Sequence, residues 1–463
     1  MLTDNLTLFC YSKESKIEIE LETKEGTMTA PRDPKPMVDF IGVSCAYCQD
    51  LLPEARSFEN FKDLHLRILS DIKRKSLPEI TKVAGIDNSQ SLHHFLRESP
   101  WSADEFENRR LQRILETVEG REIILIIDET GDAKEGHTTD YVKRQYLGNL
   151  GKVDNGIVVV TAYGVIEEMT FPLMFKVYKP RERLKSGDEY KTKPEIASEM
   201  IRELQNKGFN IKLVLADSLY GESGSTFISV LEDLHISFAV AIRSNHGVWM
   251  PSDEKVRNGK WCEFDRIFSN GDTEKRYVRE IIFGRVGEKR YWEITTDKGT
   301  LPEGSTWYVM TKISGIKYNE VGNIFGLRTW VEYGLKQIKD ELGWSDFRLT
   351  HYEDIRKWWE IVCSAYLLVS LYSEHFNTSQ RMNQQVFSEH PLWDKKIGWK
   401  NLLNNLRLIM QPFIYFNLIK PWLKVFSIPQ LETGFIRLIS LMNRFVNRIS
   451  IPPSGAPFIF YSP

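Results

Sequence analysis

Cysteine is scarce and unpatterned: five residues, Cys10, Cys45, Cys48, Cys262 and Cys363, in a chain of 463. An odd number without regular spacing argues against a disulfide framework and for a reducing compartment. Cys45-x2-Cys48 opens like a zinc site, but no second Cys pair or His pair follows at finger spacing, so solitary thiols are expected. No secretory leader stands out, and no apolar run is long enough to span a bilayer. The expectation is a soluble intracellular protein with no membrane partner. Net charge is nearly absent, −2, which argues against a uniformly basic protein. Internal repeats, low-complexity tracts, a P-loop, a serine triad and a paired-glutamate glycosidase arrangement are all missing.

The charge that is present is unevenly placed. From Ser379 onward ten Lys and Arg face three acids, while residues 1–60 lean acidic. Any polyanionic partner must therefore be met by local patches. The length exceeds the usual single-domain range, so several domains are expected.

Three stretches organise the rest. Arg121–Gly131 reads REIILIIDETG, with the uninterrupted apolar run Ile123–Ile127 ending on Asp128. Such a run is how a strand buried on both faces reads. A carboxylate at its C-terminal end sits where an open α/β sheet places active-site groups, although Asp also caps turns. Ile211–Gly221, IKLVLADSLYG, repeats the pattern with Asp217. Phe325–Lys339, FGLRTWVEYGLKQIK, has helical periodicity. At about 100° per residue, Phe325, Arg328, Glu332 and Lys339 share one stripe, an acid between two bases. Two strand-end aspartates and a helical glutamate supply oxygen ligands from separate elements, as a hard divalent cation requires.

On these residues the chain resembles the DDE transposases of insertion sequences. Arg328, Glu332 and Lys339 match the Arg-x3-Glu-x6-Lys part of the Tyr-Arg-Glu-Lys signature of one large group, with Phe325 in place of its Tyr. The segment from Asp128, DETGDAKEGHTTDYVKRQYLGNLGKVDNG, is similar to the family's DDTG…KQG…ARQYxGxLGK block. The resemblance runs from roughly residue 75 to 371 and implies a ribonuclease H-like core. It implies Asp128, Asp217 and Glu332 as catalytic and metal-holding residues.

The organisation expected is α/β: a mixed ribonuclease H-like sheet flanked by helices. Residues 1–35 read as an irregular arm and 36–119 as an all-α DNA-binding region. The core is expected over 120–242 and 316–378, with a β-rich insertion over 243–315 and a basic helical region over 379–463. In the helical region Leu77–Ala84 and Ser91–Arg97, about a turn at Gly85 with Asp87 or Ser89 as cap, match a helix-turn-helix or an ordinary helical hairpin. Gly156–Ile166 and Met169–Val177 read as a hairpin about Glu167–Glu168. Pro194–Lys207 and Ser225–Leu234 read as helices and Ser237–Ile242 as a strand. The insertion lengthens the second interval: Asp128 to Asp217 is 89 residues, Asp217 to Glu332 is 115. It carries Trp249, Trp261, Trp292 and Trp307 beside several bases, a mixture suited to unpaired bases and phosphates. Most of these tryptophans are expected in the insertion's own core. Tyr352–Leu371 reads as an apolar helix on the sheet, and Pro421, Pro429, Pro452 and Pro453 as breaks in the tail.

Two divalent ions about 4 Å apart activate an attacking oxygen and neutralise a leaving one. Mg2+ is expected, or Mn2+, two ions per site, with Asp128 bridging and Asp217 and Glu332 holding one each. Glu129 alternates to the opposite face of its strand and is the poorer ligand. Arg328 and Lys339 either contact phosphates or keep Glu332 oriented; Lys134, Lys143 and Arg144 are weaker phosphate candidates. Trp249, with Arg243 and His246 beside it, starts the insertion near the catalytic edge and is the candidate for stacking on a displaced base. The partners implied are double-stranded DNA, as element terminal repeats and as target, and a second copy of the chain in the DNA complex. The setting implied is the bacterial cytoplasm, at the nucleoid. A metal nuclease that cuts without joining, and a non-catalytic DNA-binding derivative, are the alternatives.

Overall fold

The computed structural model describes residues 38–83, 89–166, 169–250, 252–268, 272–382, 390–396 and 398–449. The arm, the turn at Gly85 and Asp87, the Glu167–Glu168 connection, Pro452 and Pro453 lie outside them.

Five helices come first: α1 (Asp39–Ala46), α2 (Ala55–Leu69), α3 (Leu77–Val83), α4 (Gln90–Arg97) and α5 (Ala103–Val118). Then follow β1 (Ile123–Ala133), β2 (Lys143–Leu147), β3 (Lys152–Ile166), β4 (Met169–Val177), α6 (Lys193–Asn206), β5 (Ile211–Ala216), α7 (Ser218–Gly221), α8 (Ser229–Asp233) and β6 (Ser237–Ile242). Five strands of the insertion come next: β7 (Val256–Asn258), β8 (Cys262–Ile267), β9 (Thr273–Phe283), β10 (Arg290–Thr295) and β11 (Trp307–Lys312). The helices α9 (Tyr318–Gly326), α10 (Thr329–Lys336), α11 (Tyr352–Met382), α12 (Trp399–Val425) and α13 (Pro429–Ile449) complete the described chain.

β1 lies between antiparallel β3 and parallel β5, with β6 parallel beyond β5 and β4 antiparallel on the far side of β3. Three strands in sequence, then a crossover to two parallel ones, make the ribonuclease H-like order. The unbroken apolar run of β1 is explained by its two faces. Ile126 belongs to one buried hydrophobic cluster, which includes Trp359 and Val362 of α11. Leu125 and Ile127 belong to the other, which includes Leu111 and Ile114 of α5 and Ile201 of α6. α6 begins with a capping box, in which the Glu195 carboxylate accepts from the Thr192 N–H at 2.7 Å.

The insertion strands do not close into a sheet of their own. β11 pairs antiparallel with β6, and β10 and β9 follow, so the central sheet continues outward through them. Of the four tryptophans expected mostly in a separate core, Trp292 is fully buried, Trp261 and Trp307 are partly exposed and Trp249 is 93 % exposed.

Two expectations are corrected. Phe325–Lys339 is not one regular helix. The chain tightens between α9 and α10, where the Arg328 N–H donates to the Phe325 carbonyl at 3.1 Å, and it widens into a π-helical turn over Gln337–Glu341. Pro421 does not break the tail, since both it and Pro412 lie inside α12, whereas Pro429 opens α13.

Candidate active site

The sheet register brings the two aspartates together. β1 and β5 run parallel with Ile127 opposite Ala216, so Asp128 and Asp217 follow at the same level on neighbouring strands. The sequence reading ends the first strand at Asp128, but β1 continues to Ala133. What ends there is its parallel partner, while antiparallel β3 keeps pairing as far as Ala133. Asp128 therefore stands on a strand supported from one side at the mouth of the sheet. Asp217 also caps α7, one carboxylate oxygen accepting from the Leu219 N–H at 2.9 Å. The other oxygen takes no part in the cap. α7 lies close against β6 because residue 221 is glycine: a Cβ there would overlap the Ala241 carbonyl oxygen and stand 3.0 Å from its carbon.

Glu332, in the first turn of α10, reaches Asp128 through Arg328. The guanidinium lies 3.4 Å from Asp128 Oδ2 and 3.6 Å from Glu332 Oε1, and the glutamate side chain is 58 % exposed. Burial, with Asp217 and Glu332 adding to it, pushes the Asp128 carboxyl up to about 7 against the opposing Arg328. Asp128 and Glu332 thus share one guanidinium, with Asp217 level with Asp128 beside them, and the donor set is oxygen from three separate elements. That excess of negative charge is what a hard divalent cation neutralises, so these residues fit one chemically. Among the described residues no three His, Cys, Asp or Glu side chains are already gathered as a metal-holding group. Glu332 is the member with room to close.

The remaining predicted residues divide. Glu129 turns away from the site onto Lys193, 2.5 Å away. Lys339 leaves the stripe of Glu332: the π-helical turn rotates it so that its ammonium donates to the Gly131 carbonyl at 2.9 Å and lies over the Trp344 ring. Burial lowers that ammonium to about 8. Lys134 pairs with Asp132 at 2.7 Å and sits over the Phe347 ring, and Lys143 pairs with Glu182 at 2.7 Å. Arg144 is exposed on β2.

Directly after α7, sequence reasoning missed Glu222. One of its oxygens accepts from the Arg243 backbone N–H at 2.7 Å, and the other lies 2.9 Å from His246 Nδ1. Burial works to raise this carboxyl, but those two partners outweigh it and hold it below the usual range. Glu222 thereby fixes the start of the segment that carries Trp249. Nothing in the local sequence marks it, because its partners lie 21 and 24 residues away.

With this geometry in hand, similarity to known proteins is informative. Residues 49–269 match the DDE superfamily endonuclease family, and residues 185–368 match the transposase DDE domain. A solved chain of the Drosophila P element transposase strand transfer complex aligns over 35 % of this chain and 36 % of its own length, at 13 % identity and a TM-score of 0.15. So low a score supports no structural argument. A probable transposase for insertion sequence element IS701 from Microchaete diplosiphon is 60 % identical over 328 residues, 71 % of this chain and 86 % of that protein. With Asp128 and Glu332 paired through Arg328, Asp217 level with Asp128, and identity of that extent, the chain belongs to the DDE transposases of insertion sequences.

Proposed function

We propose that the chain hydrolyses a phosphodiester at each end of its element, freeing a 3′-hydroxyl, and directs that hydroxyl at target DNA. The observation that carries this reading is the level register of Asp128 and Asp217 at the ends of paired parallel segments, with Glu332 joined to Asp128 by Arg328. In this reading Asp128, Asp217 and Glu332 would hold divalent ions, two Mg2+ or Mn2+ per site, and the chemistry these would supply is activation of the attacking oxygen and neutralisation of the departing one. Arg328, already between two carboxylates, is placed to pair with a non-bridging phosphate oxygen. Lys339 acts from behind, through Gly131, on the strand that carries Asp128.

Glu222 orients the turn from which Arg243 and His246 meet phosphates and Trp249 meets a displaced base. An indole that is 93 % exposed, in a segment that also carries Arg243, suits stacking on unpaired bases. The helices of residues 36–119, with α3 and α4 as the helix-turn-helix candidate, recognise the element end. The basic helices beyond residue 379 add phosphate contacts. Two element ends call for two copies of the chain in the DNA complex, working in the bacterial cytoplasm.

The test uses a supercoiled plasmid bearing both element ends and a second plasmid as target. Asp128→Asn, Asp217→Asn and Glu332→Gln are each expected to abolish nicking while end binding persists, because affinity comes mainly from phosphate contacts elsewhere. Near-normal nicking by all three variants refutes the site. Nicking without joined products assigns the chain to simple nucleases.

A further inference from the structure

Asp128 and Asp217 stand on strands of a sheet packed on both faces, but Glu332 is carried on a short helix between a tightened turn and a π-helical one. What holds the start of that helix decides where the third carboxylate sits. Strand β8 of the insertion packs against α9, the helix that leads into it. The Ile267 N–H donates to Asn323 Oδ1 at 2.9 Å, and Asn323 Nδ2 donates back to the Asp265 carbonyl at 3.1 Å. The Phe264 ring occupies the space that a side chain at Gly322 would need. Trp307 of β11 meets Phe325 edge-on at 5.5 Å.

Between these anchors is Arg266, which none of the sequence motifs marks. It is 7 % exposed, its guanidinium lies 4.9 Å over the Trp307 ring and 4.6 Å over Phe268, and Nη2 is 3.5 Å from Thr329 Oγ1. Thr329 is the first residue of α10, one turn before Glu332. A cation under a helix N-terminus is unfavourable for the helix dipole. A second cation, Arg276, lies 4.1 Å over the same indole. Glu274 answers Arg276 directly, at 2.5 Å.

We infer that Arg266 is a positioning residue for Glu332: stacked on Trp307 and 3.5 Å from Thr329 Oγ1, it anchors the first turn of α10, which carries the glutamate, and so sets the affinity of the site for divalent ions. The inference rests on the proposed role of Glu332. It makes the insertion part of the active site's framework as well as a surface for DNA. Partners of this kind behind a ligand typically change metal affinity or activity by 10- to 100-fold when removed.

The experiment titrates the full chain, bound to an element-end duplex, with Mn2+ and counts free ion by its EPR signal. Arg266→Ala is expected to weaken Mn2+ binding at least about tenfold, with duplex affinity and its salt dependence unchanged. In a Glu332→Gln background the same substitution is expected to cost nothing further, because both changes act through one ligand. Arg266→Lys, which keeps the charge and loses the planar fork, is expected to fold and to fall between the two. Unchanged Mn2+ affinity in Arg266→Ala, or an equal loss with and without Glu332, overturns the inference. So does a salt slope lowered by about one unit, which marks a phosphate contact. Wild-type Mn2+ affinity in Glu332→Gln alone overturns the proposed site instead.

Discussion

Gly221 gives the strongest handle on how the fold sets the chemistry. Its missing side chain lets α7 lie against β6, and α7 is capped by Asp217 itself. In Gly221→Ala the new methyl overlaps the Ala241 carbonyl oxygen and comes within 3.2 Å of Val240 Cγ2. The first obstacle is backbone in a paired strand, so α7 must move and not Ala241. Overpacking of this kind costs about 1–3 kcal/mol, and an unyielding carbonyl puts the cost at the upper end. For a large domain that is a fall in Tm of about 5–10 °C. The functional effect is larger. A shift of about 1 Å in α7 carries Asp217 with it, and misplacement by about 1 Å costs on the order of 100-fold in rate. Nicking of the two-ended plasmid is expected to fall by about that factor, with end binding intact. Gly224→Ala is the control, because a Cβ there meets nothing within 4 Å. Full nicking by Gly221→Ala with an unchanged Tm refutes the reasoning, as does an equal loss in the control.

His65 predicts a pH dependence of stability. It is fully buried, its ring meeting the Phe61 carbonyl and the Ser364 hydroxyl at 2.9 and 3.0 Å, and burial lowers it from 6.5 to about 4. The unfolded chain therefore takes up the proton first. This contribution is complete above pH 6.5 and is lost as pH falls toward 4, about 3 kcal/mol in all. Urea unfolding at pH 7 and pH 5 measures it; a His65→Gln variant with the same pH slope as wild type assigns the loss to other groups. Trp249→Ala removes a side chain that is 93 % exposed, so stability is expected within about 0.5 kcal/mol of wild type. First-strand nicking should persist while second-strand cleavage slows, and normal second-strand cleavage of a pre-nicked duplex by this variant rules out the stacking role.

Strands and carboxylates were legible because their signals are local. The apolar run Ile123–Ile127 meets hydrophobic layers on both sides, and Met169–Val177 and Ser237–Ile242 are strands with the bounds that their turns implied. The Arg328–Glu332 pair was legible for the same reason, since four residues on a helix face are neighbours whatever surrounds them. Lys339 was not, because the π-helical turn at Gln337–Glu341 leaves no mark in the hydrophobic pattern, yet it rotates everything that follows. Periodicity also gave no reason to connect Arg266 with Glu332, which are 66 positions apart. Nor could it show that the insertion continues the central sheet through β11 and β6, a pairing between segments 65 or more residues apart. The sequence by itself determined which segments become strands and helices and which carboxylates they carry, because side-chain alternation and turn chemistry act over a few residues. Only the tertiary structure decided that Asp128 and Asp217 stand level, that Glu332 reaches Asp128 through Arg328, and that Arg266 meets the first residue of α10. Those relations come from strand pairing and packing between residues far apart in the chain.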